Sequence, residues 1–182
     1  MRTVLRLMVA GLAAITAIVA GFGTAAASAD GPTDRRIVAA IESQPWKNLK
    51  KGDQDYRVAA VRCFLAQFGY FRSCDPQADG ADVFDDALVN AVRAYQEDKH
   101  LYVNGRLDDE TWVTLRYDHG VAGPGDRRSN LVKGLQHSLN ILGDAIPVDG
   151  LYGDRTKTAV ANFQKRKEIG VDGIVGPITF RA

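Results

Sequence analysis

Val148-Asp-Gly-Leu-Tyr-Gly-Asp-Arg-Thr-Lys-Thr-Ala-Val-Ala-Asn-Phe-Gln164 is the stretch whose reading decides the fold. It runs from a turn through a helix start into an amphipathic helix. Asp149-Gly150 is an Asx-Gly turn signal. Asp154 stands where a helix cap is expected, and Thr156, Ala159, Val160 and Phe163 then share one face at helical spacing. Downstream, Ile169-Gly-Val-Asp-Gly173 turns again. Gly176-Pro177 opens a last helix, with Pro where its missing N–H costs nothing. Upstream, Val132, Leu135, Leu139 and Leu142 line a helix that Gly143 stops.

The same plan occurs once earlier. Val58, Val61, Leu65, Phe68 and Gly69 match Val132, Leu135, Leu139, Leu142 and Gly143 at an offset of 74. Phe84, Ala91, Val92, Tyr95, Gln96, Val103, Gly105, Thr111 and Trp112 match Tyr152, Ala159, Val160, Phe163, Gln164, Val171, Gly173, Thr179 and Phe180 at an offset of 68. The difference gives the first copy a longer loop, which holds Cys74. Such self-similarity is the mark of a duplicated unit. The expected fold class is all-α: two tandem three-helix modules, 48–116 and 131–182, joined by a Gly-rich connection, 117–130. A short helix and linker at 30–47 precede them, with Ile37, Ala40 and Ile41 on one face. Units of this size are near the lower limit for a core of their own, so the two should lean on each other or on the N-terminal helix.

Residues 1–29 read as a secretory signal peptide: Arg2 and Arg6, an apolar run from Leu7 to Phe22, then Ala27-Ser28-Ala29. An uncleaved membrane anchor is the alternative, because the apolar and small residues are long enough to span. Cleavage after Ala29 leaves 153 residues with 21 basic and 22 acidic side chains. That near-neutral balance gives no strong claim on nucleic acid, and no stable membrane insertion is expected after cleavage. Export favours a Cys63–Cys74 disulfide over two separate thiols.

Each half resembles the three-helix peptidoglycan-binding domain found attached to bacterial cell-wall hydrolases. The second half carries the motif almost whole: Leu135-Gln136, Leu139-Asn140, Leu142-Gly143, Asp149-Gly-Leu-Tyr-Gly153, Thr156, Ala159-Val160, Phe163-Gln164, Val171-Asp-Gly-Ile-Val-Gly-Pro177 and Thr179. The first half keeps Leu49-Lys-Lys-Gly-Asp53, Asp79-Gly80, Phe84, Ala91-Val92, Tyr95-Gln96 and Thr111-Trp112. It departs at Arg62, where the family has Gln, at Asp85 and Asp108, where it has Gly, at Asn104 and at Asp109. Gly153 and Gly176 are expected at positive φ, with Asp85 and Asp108 as tolerated replacements that also cap the next helix.

The resemblance implies a wall-glycan or stem-peptide ligand, met by amides, a cation and an aromatic plate near the turns. Gln136, Asn140, Asp149, Tyr152, Gly153, Arg155 and Asp172 fit that description. Structural readings stand beside these: Asp149 and Asp172 as turn pins, Tyr152 as core, Arg155 as solvated. The catalytic inventory is thin. His100, His119 and His137 are scattered, and no metal-spaced or nucleophile motif is present, so no catalytic residue, metal or cofactor is assigned. Asp75 to Asp86 nearly spells a calcium loop, but Pro76 and Gln77 break it, and it reads as a helix-capping loop. The expected function is non-catalytic peptidoglycan binding. An exported protein partner or inhibitor role, and a small wall hydrolase, are the alternatives.

Overall fold

A computed structural model describes residues 30–182. The expected leader, cleaved or anchoring, lies outside the described residues. The chain forms α1 (Arg35–Glu42), α2 (Tyr56–Gln67), α3 (Asp86–Asp98), α4 (Asp109–His119), α5 (Ser129–Ile141), α6 (Asp154–Arg166) and α7 (Pro177–Arg181). Helices α2–α4 make one module and α5–α7 the second, as the duplicated pattern predicts. Among the described residues β-structure is limited to three isolated bridges.

Two of those bridges are equivalent. Leu49 pairs with Leu107 in the first module and Ala122 with Val175 in the second. Beside each, a glycine amide donates to the chain before the next helix: Gly52 N–H to the Phe84 carbonyl (2.9 Å) and Gly125 N–H to the Tyr152 carbonyl (3.0 Å). Both glycines have φ near +90° (90° and 82°), where a side chain is strained. The repeat therefore reaches back into 122–126, inside the stretch that composition marks only as a connection. Arg128 ties that stretch down, donating to the carbonyls of His119 (2.6 Å) and Val121 and pairing with Asp126 at 2.6 Å.

The modules meet along α2 and α5. Helix α2 is buried on nearly every side, including Ala60, Cys63 and Phe64, which the one-faced sequence pattern leaves out. Gly134 of α5 makes the approach possible: a Cβ there would stand 2.8 Å from Phe64 Cε1 and 3.0 Å from the Ala60 carbonyl oxygen. Residues of both modules form one apolar cluster, and each fully buried large side chain contributes about 1.5–3 kcal/mol. The Cys63–Cys74 disulfide forms, with Cα atoms 4.6 Å apart, and pins the longer loop of the first module against this junction.

The N-terminal segment straps the two modules. Gly31 N–H donates to Asp172 Oδ2 (2.9 Å), and Thr33 Oγ1 accepts from Gly170 N–H (2.8 Å). At the other end Trp46 stacks on Trp112 (centroids 5.8 Å apart), and Glu42 pairs with Arg116 at 2.7 Å. Helix α1 itself buries no residue.

Three sequence-based expectations are corrected here. Gly153 and Gly176 lie at φ −97° and −98° with extended ψ, so neither needs glycine for its backbone. Asp85 and Asp108, at φ −90° and −91°, occupy the same ordinary region. Asp154 is the first helical residue of α6, not its cap; the cap position is Gly153, and among the described residues no side chain caps the helix start. Leu142 is 38% exposed, because α5 has ended there and the side chain faces the gap between the modules.

Candidate functional site

Two buried glutamines, Gln136 and Gln164, build the turns that carry the predicted ligand-binding residues, and a third, Gln96, builds the matching turn of the first module. Gln136 is 1% exposed. Its Nε2 hydrogens are shared among Asp149 Oδ1 (2.8 Å), the Leu151 carbonyl (3.1 Å) and Thr156 Oγ1 (3.0 Å). Its Oε1 accepts from Gly150 N–H at 2.8 Å. Gln164 repeats this one helix later with Asp172 Oδ1 (2.7 Å), the Ile174 carbonyl (2.8 Å) and Thr179 Oγ1 (3.1 Å), while its Oε1 accepts from Asp172 and Gly173 N–H. Gln96 does the same with Asn104, Arg106, Gly105 and Thr111. Each amide joins the end of one helix, an Asx-Gly turn and the start of the next. A buried amide is tolerated only when so satisfied.

In the first module Arg62 takes the place of the fourth glutamine. It donates from Nε to the Ala81 carbonyl (3.0 Å) and from a terminal nitrogen to the Val83 carbonyl (2.7 Å), and pairs with Asp85 at 2.9 Å. Asp85 also accepts from Leu88 N–H at 2.8 Å, closing the first turn of α3. The two departures, Gln to Arg and Gly to Asp, thus form one ion-paired unit.

The helix starts differ in the same way. Asp108 Oδ1 accepts from Thr111 N–H (3.0 Å) and Oγ1 (2.7 Å) at α4. At α7, where glycine stands in that position, Asp30 arrives from the N-terminal segment. Its carboxylate accepts from Thr179 N–H and Oγ1 (both 2.8 Å) and from Ile178 N–H (2.7 Å). Among the described residues no carboxylate caps helix α6 in this way. A side chain at Gly153 would meet nothing within 4 Å, so this helix start is open.

The sequence-nominated residues separate into two groups around α6. Asp149, Gly153 and Arg155 are exposed. Hydrogen bonds from Leu151 N–H and Gln136 hold the Asp149 carboxyl below the usual range, with a smaller contribution from nearby Arg155. Gln136 and Tyr152 are buried; the Tyr152 hydroxyl donates to the Gly173 carbonyl (3.1 Å), and burial raises its pKa. Asn140 clamps the following loop, donating to the Ile146 carbonyl and accepting from Ile146 N–H, both at 2.8 Å. Asp172 uses both oxygens internally, on Gln164, Ile174 N–H and Gly31 N–H. The staple glutamines Gln96 and Gln164 belong to the repeat and carry no expected ligand role. Their signal was present in the spacing: Gln, then an Asx-Gly pair eight or nine residues on, then Thr.

Residues 54–115 and 128–182, together more than half of the chain, each match the family model described as "Putative peptidoglycan binding domain". Among curated proteins, one relative is the N-acetylmuramoyl-L-alanine amidase CwlM of Mycobacterium tuberculosis, 29% identical over 152 residues, covering 74% of this chain and 36% of the relative. Another is a "Probable CtpA-like serine protease" of Staphylococcus epidermidis, 31% identical over 65 residues, covering 36% of this chain and 12% of the relative. The chain thus spans about a third or less of the length of these relatives. No solved structure matches it.

Proposed function

The chain belongs to the peptidoglycan-binding domain family, and from that premise we propose that it is an exported, non-catalytic protein that attaches to the cell wall through its second module. The single observation carrying this reading is the paired family match along a chain whose matched parts are both binding modules. The proposed contact surface is the turn ahead of α6. Asp149, Gly153 and Arg155 face solvent there, and Gln136, Asn140, Tyr152 and Asp172 hold the turns from behind. Acceptors on a stem peptide or glycan would meet the Arg155 guanidinium, and donors the Asp149 carboxylate. The first module, with Arg62–Asp85 across the equivalent turn, is proposed to serve the fold more than the ligand. If it retains weak affinity, the short connection lets the pair gain retention by avidity.

Sedimentation with protein-stripped sacculi tests the reading. Retention above a scrambled-composition control at moderate salt is expected; its absence overturns wall binding and favours an exported protein as partner. The amidase relative supports one second reading, a wall hydrolase. Incubation with labelled peptidoglycan distinguishes them: release of soluble fragments establishes hydrolysis, and intact sacculi carrying bound protein support attachment alone.

A further inference from the structure

The strap, α2 and the second module enclose a cavity of about 460 Å³. This is within the ~300–1,000 Å³ range of small-molecule sites, and junctions between domains are where such sites concentrate. Its inner wall is apolar: Phe64, Leu135, Leu139 and Phe163, each under a tenth exposed. Its rim is formed by Gln44, Pro45, Lys47, Leu142 and Lys167, all exposed, so the space has a mouth.

The charged side chains that line this cavity are all cations. Lys47, Arg57, Lys167 and Arg181 line it, and among the described residues no Asp or Glu side chain does, although Glu42 and Asp109 act on Arg181 from just outside the lining. The whole chain is nearly balanced, at net +1, so four cations with no lining acid depart from composition. Asp55 neutralises Arg57 from outside the cavity, at 3.1 Å, and Lys167 Nζ donates to the Ala182 carbonyl oxygen at 2.7 Å, which leaves Lys47 and Arg181. Arg181 is held differently. Its guanidinium lies over the Trp46 ring at 3.7 Å, it donates to the Gln44 carbonyl, and its buried Nε hydrogen has no acceptor among the described residues. A half-buried guanidinium at a cavity wall favours an anion, because a charge-assisted hydrogen bond is about twice as strong as a neutral one.

We infer that the junction cavity is a binding site for a single-chain anionic amphiphile, a fatty-acyl carboxylate, with the chain along Leu135, Leu139 and Phe163 and the carboxylate at Arg181 and Lys47. An aliphatic chain suits walls that mix leucine with aromatic rings. The carboxylate pairs with the positive charge of Arg181 and Lys47 at the cavity wall. The mouth opens beside α1, which buries none of its own residues; the strap on either side of it is fixed by Asp30, Gly31 and Thr33 at one end and by the Trp46 stack and the Trp112 Nε1 bond to the Lys47 carbonyl at the other. This site is separate from the α6 turn and does not depend on wall binding.

The test uses the only two tryptophans of the chain, Trp46 and Trp112, both of which line the cavity. Sodium dodecanoate is titrated below its micellar concentration, with tryptophan emission and calorimetry as parallel readouts. The expected result is one saturable site with Kd of roughly 10–100 μM. Decyl maltoside, which has no charge, should bind at least roughly tenfold more weakly, and Arg181→Met should weaken dodecanoate by about tenfold. Sodium acetate should not bind, since it lacks the chain. Lys47→Met provides the same reading at an exposed position where folding is not in question. No saturable signal in either readout overturns the inference. So does equal binding of the neutral amphiphile with both variants unchanged, which would leave only an apolar gap. Sacculus retention is scored separately, so the two readings fail independently.

Discussion

Gly153→Asp separates the fold of α6 from the proposed function of its first turn. The perturbation copies Asp85, which closes the equivalent helix through Leu88 N–H at 2.8 Å. The backbone at Gly153 (φ −97°, ψ −167°) accepts any residue, and the space is empty to 4 Å. An aspartate cap gains a few tenths of a kcal/mol over glycine, and the added negative charge at the helix start roughly as much again. Removing glycine's freedom in the unfolded chain adds about 0.4–1 kcal/mol. The sum is about 1 kcal/mol of added stability, or a Tm rise of roughly 2–4 °C for a chain of this size. The same carboxylate stands beside exposed Asp149 and Arg155, where it competes with an acidic ligand for Arg155 and fills the open helix start. Sacculus retention should therefore fall while the melting temperature rises. Thermal melting by circular dichroism and sedimentation with sacculi, run on one preparation, read both. A variant that melts lower refutes the capping argument. A variant that melts higher with full retention moves the contact surface away from this turn.

Other expectations follow from the junction. His119 is fully buried, donates from Nδ1 to the Gly120 carbonyl and is packed between Phe64 and Phe180, and burial pulls its pKa down to about 4. The unfolded chain binds this proton more readily, near pH 6.5, so stability is full above that pH and falls as pH drops from 6.5 towards 4. The loss is on the order of 3 kcal/mol, and urea titrations across that window should show it, flattened in His119→Asn. Gly134→Ala should cost about 1–2 kcal/mol despite the better helix propensity, because its Cβ meets a carbonyl oxygen at 3.0 Å; a denaturation midpoint at or above wild type would contradict the close approach of α2 and α5. Gln164→Leu leaves the amides of Asp172 and Gly173 without their acceptor and should destabilise by about 2–4 kcal/mol in the same assay. Replacing Cys63 and Cys74 together by serine should cost about 3 kcal/mol from loop closure, seen as a lower midpoint without reductant and none of the usual further drop with it.

The sequence by itself determined the secondary structure and the repeat. Apolar spacing is a local property, so Leu88, Val92 and Tyr95, like Ala159, Val160 and Phe163, announce their helices wherever these pack, and all are buried. The turn signals at Asp149-Gly150 and Asp172-Gly173 were equally legible, since an Asx side chain bonds its own backbone two residues on. The tertiary structure alone decided which other groups those turns engage. Gln136 looks like a free surface amide in one dimension; three acceptors and one donor from distant residues make it a buried staple. Asp30 reads as the first polar residue after an apolar run, yet it closes a helix 149 residues away. The face joining the modules, Ala60 and Phe64 against Gly134, was hidden because periodicity marks one apolar stripe per helix and α2 has two partners. The cavity beside that face arises only where the strap and both modules meet, and its two ligand-facing cations, Lys47 and Arg181, come from opposite ends of the described chain.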